Sequence, residues 1–163
     1  SERMDFHFSV SWTTRQRRPG EVDGVDYVFV DRNRFEEGIS AEGFLEWAEY
    51  SGHLYGTPRA AALAHLDRGE HVLLDIENDG AGQVKRAYPD AVLVFVLPPS
   101  LAELERRLRS RGDTSEADIA KRLAVADAQI AEARQKFDHL VTNYEVAAVA
   151  DEIVSILVRA DGR

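Results

Sequence analysis

The sequence predicts an α/β fold built on a parallel sheet, and three observations carry that expectation. Two stretches, His71-Val72-Leu73-Leu74-Asp75-Ile76 and Ala91-Val92-Leu93-Val94-Phe95-Val96-Leu97, are nearly continuous apolar runs of strand length. That is the pattern of strands covered on both faces. Helical segments lie between and after them, as crossovers between parallel strands require. A short alternating stretch, Phe6-His7-Phe8-Ser9-Val10-Ser11, supplies a further strand. At 163 residues, 44% hydrophobic and 30% charged, the chain is expected to form one domain spanning 1–163, being too short for two ordinary ones.

Taken in order, the first strand runs into a loop rich in arginine and hydroxyl side chains. Tyr27–Val30 reads as a second strand, followed by Asp31 as N-cap of a helix through Phe35 and Ile39. Gly43–Tyr50 alternates Phe44, Glu46, Ala48 and Tyr50 against Leu45, Trp47 and Glu49, a strand with one face polar enough to line a ligand site. Tyr55-Gly56-Thr57-Pro58-Arg59 reads as a Gly/Pro turn carrying polar groups. From Pro58 to Arg68 an Ala/Leu-rich helix runs to Gly69, a C-terminal stop. Pro98-Pro99 closes the second apolar run, and Ser100 caps a helix with Leu101, Leu104 and Leu108 on one side. Arg106, Arg107, Arg109 and Arg111 occupy the other. Gly112–Ser115 breaks that helix before a longer one from about Glu116 to Phe137, a hinged pair suited to a lid. His139–Asn143 and Val146–Val158 supply a last strand and a closing helix. No internal repeat or low-complexity linker interrupts the pattern.

Composition excludes several classes. A net charge of −9 argues against a nucleic-acid surface, which needs a basic face. With no cysteine, disulfides and thiolate-bound metals are impossible, and the five histidines show no ligand spacing, so no direct metal site is expected. The longest apolar run is far too short to span a membrane and no leader pattern opens the chain, so a soluble, cytoplasmic protein is expected.

Chemistry concentrates in two stretches. Ser9-Val10-Ser11-Trp12-Thr13-Thr14-Arg15-Gln16-Arg17-Arg18-Pro19-Gly20-Glu21, with Gly24-Val25-Asp26-Tyr27 behind it, packs arginines, hydroxyls and a carboxylate into a phosphate-sized space. Arginine forks bind phosphate oxygens bidentately, and hydroxyls add donors that orient them. A basic loop by itself is ordinarily just solvated; the full spacing S-x-T-T-R-x-x-R-x-G-E with a downstream D-Y is specific. Together with Glu46-Trp47-Ala48-Glu49 and Tyr55-Gly56-Thr57, it resembles the nucleoside-monophosphate site of guanylate kinases. The likeness runs over nearly the whole chain.

That resemblance implies a P-loop NTPase-like parallel-sheet core, a small mixed-β GMP-binding excursion over 11–57 and a helical lid over 100–137. It assigns Ser11, Arg15, Arg18, Glu21 and Tyr27 to the GMP phosphate and its loop, Tyr55 to phosphate and Thr57 to the base. Glu46 becomes the base reader, because guanine offers two adjacent donors, N1–H and the exocyclic amine, that one carboxylate can accept together. Adenine lacks that pair. Asp75, at the carboxyl end of a strand, matches a carboxylate that orients the water shell of Mg²⁺. Glu77 matches a base-contact position where the family pattern D-I-D has Asp, and Asn78-Asp79-Gly80-Ala81-Gly82 stands where V-Q-G-A-R is favoured. Arg107, Arg111 and Arg122 match lid arginines and join Arg15 as the implied catalytic set. Arg107 and Arg111 are spaced i,i+4 on one helix face. Asn143 matches a position near the adenine of ATP.

The implied activity is transfer of the γ-phosphoryl of Mg·ATP to GMP, giving GDP and ADP. Other readings are a non-catalytic guanylate-kinase-like module holding GMP or phosphopeptides, and a sensing domain that binds GMP only. The ATP-binding signature G-x-x-x-x-G-K-[ST] occurs nowhere in the 163 residues. The expectation is therefore a chain lacking an upstream strand, P-loop and helix of roughly 20–30 residues, impaired in phosphoryl transfer and prone to homo-oligomerise through uncovered strand edges.

Overall fold

The opening alternation folds as β1 (Phe6–Phe8) in a computed structural model that describes residues 6–110 and 115–161. The chain divides between Pro89 and Asp90 into two units. In the first, β1 lies parallel to the strand His71–Leu73 (β6), Phe6 opposite His71 and Phe8 opposite Leu73. Beside this pair the unit carries a four-stranded sheet made of Trp12–Thr13 (β2), Val28–Phe29 (β3), Phe44–Tyr50 (β4) and His53–Pro58 (β5), in the order β3-β2-β5-β4. β3 runs parallel to β2, while β5 runs antiparallel to both β2 and β4. Parallel pairs and helices make this the α/β class, with the mixed sheet inserted between β1 and β6.

Helix α1 (Arg32–Ser40) starts where Asp31 accepts the Arg34 N–H at 2.8 Å, as its capping role predicts. It buries Phe35 completely, stacked on Phe44 with ring centroids 4.5 Å apart, and Leu54, Trp12, Val30 and Ile39 close that core. A fully buried Phe contributes about 1.5–3 kcal/mol by area alone. Gly56 sits where a Cβ would come within 2.9 Å of the Phe44 ring and 3.0 Å of Phe35, so the close approach of β5 to this cluster requires glycine.

Two sequence expectations change here. Tyr55-Gly56-Thr57-Pro58 is not a turn but most of β5; the turn lies one step earlier, where Ser51 and Gly52 take φ of 51° and 79°. Glycine marked close packing rather than a bend. The alternation of β4 is also broken. Phe44 opposes Pro58 and Glu46 opposes Thr57, so a bulge inserts one residue between them. Because side-chain period is two, that insertion puts Phe44 in the α1 core and Glu46 on the opposite face.

Helix α2 (Arg59–Leu66) follows β5 and ends ahead of Gly69 at φ 76°. Helix α3 (Asn78–Ala87) follows β6 and buries Gly80, Ala81 and Val84. In the second unit, β7 (Val94–Leu97) and β8 (His139–Thr142) run parallel, Val94 opposite His139. Around them lie α4 (Leu101–Ser110), α5 (Glu116–Lys136) and α6 (Val146–Asp161). Ser100 and Ser115 accept the N–H groups of Glu103 and Asp118, at 3.1 and 3.2 Å, as N-caps. Leu93, Leu108, Ile119, Ala133, Val141 and Val149 are buried. The apolar run of β7 is not covered on both faces: Phe95 packs edge-on against Phe137, whereas Val96 stays 43% exposed. Composition marks a strand without saying which face is covered.

Candidate functional site

Both chemistry-bearing stretches of the first unit belong to its mixed sheet and the loop after β2. That loop is held by Glu21, whose carboxylate accepts Arg15 Nη1 at 3.0 Å and Nη2 at 2.8 Å and the backbone N–H of Arg18 at 2.7 Å. Gly20, at φ 91°, makes the turn that brings Glu21 back. Arg15 and its hydrogen bonds, then the Arg18 N–H, lower the Glu21 carboxyl from 4.5 to about 2. The Arg15 guanidinium is correspondingly pushed up, first by Glu21, with Tyr55 contributing. It lies 5.4 Å from the Tyr27 ring centroid and 5.7 Å from that of Phe29, and Tyr27 meets Tyr55 edge-on at 6.1 Å. Burial, then the charge of Asp75, raises the Tyr27 phenol. Arg15, Glu21, Tyr27, Tyr55 and Asp75 thus share one patch. Ser11 begins the segment, its carbonyl accepting the Val28 N–H at 2.9 Å. The downstream loop is self-capped: Asp26 accepts from the Val22 N–H at 2.6 Å and Asp23 from the Phe29 N–H at 2.9 Å.

The second cluster is buried. Glu46 is 3% exposed and Thr57, its cross-strand neighbour, 0%; the Thr57 hydroxyl donates to Glu46 Oε1 at 2.6 Å. Burial raises the Glu46 carboxyl, opposed by the Thr57 bonds and reinforced by the charges of Asp79 and Glu77. Its other oxygen lies against Gly80 in the first turn of α3, where a Cβ would overlap Oε2 and stand 3.0 Å from Cδ. Glu77, at the N-cap of α3, is half-buried. A carboxylate has about four lone-pair directions, of which Thr57 engages two, through its hydroxyl and its backbone, so Glu46 keeps acceptor capacity for paired donors.

Sequence reasoning missed two supports. Gln83 of α3 reaches the backbone of Trp47, taking its N–H at 3.2 Å and donating to its carbonyl at 2.7 Å. Gly80 admits Glu46 to the helix. Spacing on α3 gave no warning of either, because both depend on where α3 meets β4. A hint for Gly80 was available in a glycine within the first turn of a helix, where it is unfavourable without a packing reason.

In the second unit, Arg107 is engaged by Glu103 at 2.8 Å and by the Asn143 carbonyl at 3.1 Å, joining two residues assigned separately to lid and adenine. The Asn143 N–H donates to the Leu97 carbonyl at 2.8 Å, extending the β7–β8 pairing. Arg122 is half-buried on α5, and Arg111 lies outside the described residues. Among the described residues no group of three or more His, Cys, Asp or Glu could hold a metal, and no helix is long and apolar enough to cross a membrane.

The family model for guanylate kinase matches residues 1–160. The chain belongs to the guanylate kinase family. A guanylate kinase of Thermus thermophilus is 54% identical over 165 aligned residues, covering 99% of this chain and 74% of that relative. One from Trichodesmium erythraeum is 47% identical, over 92% of this chain and 80% of the relative. A crystal structure of guanylate kinase from Anaplasma phagocytophilum superposes with a TM-score of 0.81 at 35% identity, covering 96% of this chain and 76% of that one. Membership of a phosphotransferase family makes this an enzyme chain and fixes its α/β architecture as that of guanylate kinases, a P-loop NTPase fold.

Proposed function

We propose that this guanylate kinase chain binds GMP through the two clusters of its first unit and directs ATP's γ-phosphoryl group to it, giving GDP and ADP. The observation that carries the reading is the buried Glu46–Thr57 pair on the sheet whose strand β2 leads into the Arg15–Glu21 loop. Glu46 accepts the N1–H and exocyclic amine of guanine, and Thr57 holds the carboxylate in place. Arg15 and Arg18 take the phosphate with Ser11, Tyr27 and Tyr55 as orienting groups, while Glu21 organises the arginines rather than touching the anion. Such transfer rests on positioning and charge neutralisation. Arg107, Arg111 and Arg122 are the lid cations and Asn143 the adenine-side residue.

Mg²⁺ enters with ATP and supplies charge neutralisation to the phosphates. Asp75 is exposed just beyond β6, and a lone carboxylate fits an ion that keeps most of its waters and leans on substrate phosphates. A cytoplasmic setting suits both nucleotides. Calorimetric titration with GMP and AMP tests the base-reading core: GMP should bind about tenfold or more tighter. Equal affinities would overturn the reading.

A further inference from the structure

β4 is the edge strand of its sheet, and its outer edge is met at one residue by a side chain. Gln83 pairs with both backbone groups of Trp47, the residue that follows Glu46, much as a neighbouring strand would. The orientation of the amide is set by chemistry. Its Nε2 faces two pure acceptors, the Trp47 carbonyl at 2.7 Å and Asp79 Oδ2 at 3.1 Å, and its Oε1 faces an N–H. The bond to the Trp47 N–H fixes the Glu46–Trp47 peptide and the bond to its carbonyl fixes the Trp47–Ala48 peptide, and the first of these bears on the direction in which the Glu46 side chain leaves the strand. The ladder with β5 holds the inner edge of this stretch from Glu46 onward and is interrupted by the bulge just before it, so on the outer edge the described hold on Trp47 comes from Gln83. On the other side, Gly80 lets the first turn of α3 come down onto the Glu46 carboxylate, so one helix grips the reader from backbone and side chain alike.

We propose that Gln83 is a positioning residue for guanine recognition: it aims Glu46 by holding the Trp47 backbone against α3. The inference rests on the assignment of Glu46 as base reader. The Gln83 amide is spent on the Trp47 backbone and Asp79, so its loss should fall on the base and leave the phosphate clamp alone.

The test is nucleotide titration of the 163-residue chain carrying Gln83→Ala, Glu46→Gln, and both. Gln83→Ala should weaken GMP about tenfold, for two lost hydrogen bonds, and leave AMP within about twofold. The double variant should bind GMP no more weakly than Glu46→Gln, because an aimed residue that no longer reads cannot be misaimed. Gln83→Met keeps the side-chain length without charge but loses both Trp47 partners, and should weaken GMP as the alanine variant does; it also serves if the alanine variant fails to fold. Equal losses for GMP and AMP, or full additivity with Glu46→Gln, would overturn the proposal while the base-reading assignment stood. A parent chain with no preference for GMP over AMP would remove that assignment and the proposal with it.

Discussion

Replacing Gly80 by alanine sets helix propensity against site geometry, and the two give opposite signs. Propensity favours alanine by about 1 kcal/mol. Geometry opposes it, because the new Cβ would overlap Glu46 Oε2 and lie 3.0 Å from Cδ and 3.5 Å from Cγ. The carboxylate has no easy retreat: Glu46 is 3% exposed, and Thr57, fully buried, holds Oε1 at 2.6 Å. Overpacking costs about 1–3 kcal/mol, and stretching the Thr57 bond leaves buried polar atoms unmet at about 1–3 kcal/mol more. Subtracting the propensity gain leaves a net loss of about 1 kcal/mol at the low ends and about 3 at the middle of each range. Gly82→Ala is the internal control, since a Cβ there meets only Arg86 Nη1 at 3.4 Å; it should stabilise by about 1 kcal/mol. Urea unfolding of the two variants, with GMP titration alongside, reads the difference. A Gly80→Ala chain as stable as the parent, with unchanged GMP affinity, would refute the packing of Glu46 against α3.

Further outcomes follow from the clamp and the second unit. Glu21 has its folded value lowered from 4.5 to about 2, so the stability it contributes is present above 4.5 and lost as pH falls towards 2; denaturation midpoints across that window should show a dependence that Glu21→Gln flattens, and an unaltered profile would remove Glu21 from the clamp. Arg15→Ala or Arg18→Ala should weaken GMP while leaving guanosine nearly unaffected, and equal losses for both would make the arginines structural. GMP affinity should fall as pH drops through the raised Glu46 value, since a protonated carboxyl cannot accept both guanine donors, and Glu46→Gln should bind GMP more weakly without that dependence. In turnover with Mg·ATP, Arg107→Ala should lower kcat more than it raises the GMP KM; a change confined to KM would contradict its lid assignment.

Much of this was legible along the chain. Asp31 and Ser100 precede helices that they cap, as their positions predict, because capping is decided within a few residues. That Arg15, Arg18 and Glu21 form one unit was readable too, since they are joined within one loop. What failed to show was anything decided between distant elements. The bulge between Phe44 and Glu46 is invisible in an alternating pattern, because alternation reports a strand's period and not its pairing. Gly56 looked like a turn for the same reason: the demand for a missing Cβ came from Phe35 and Phe44, and not from the backbone at 56. Gln83 lies 36 residues from Trp47 in sequence, and nothing local at either position announces the contact.

On the proposed function, the two glutamates of the site divide between holding and reading. Glu21 is drawn down by a guanidinium and a backbone N–H, so it is ionised throughout the neutral range and its acceptor capacity is spent on the loop. Glu46 moves the other way: burial raises it, and Asp79 and Glu77 add like charge. Between the ordinary glutamate value and that raised value, the folded chain binds a proton more readily than the unfolded chain does, so Glu46 makes stability fall as pH rises. A carboxylate kept only to hold the fold would gain from a cationic partner, as Glu21 does. Glu46 instead has the neutral hydroxyl and backbone of Thr57, which orient it without supplying a countercharge. On the proposed function, two neutral N–H donors of guanine would supply what the free protein withholds, stabilising the charged form and lowering the raised carboxyl on binding. Adenine presents no such pair, so on that proposal the same burial that costs stability in the free chain would become discrimination against the wrong base.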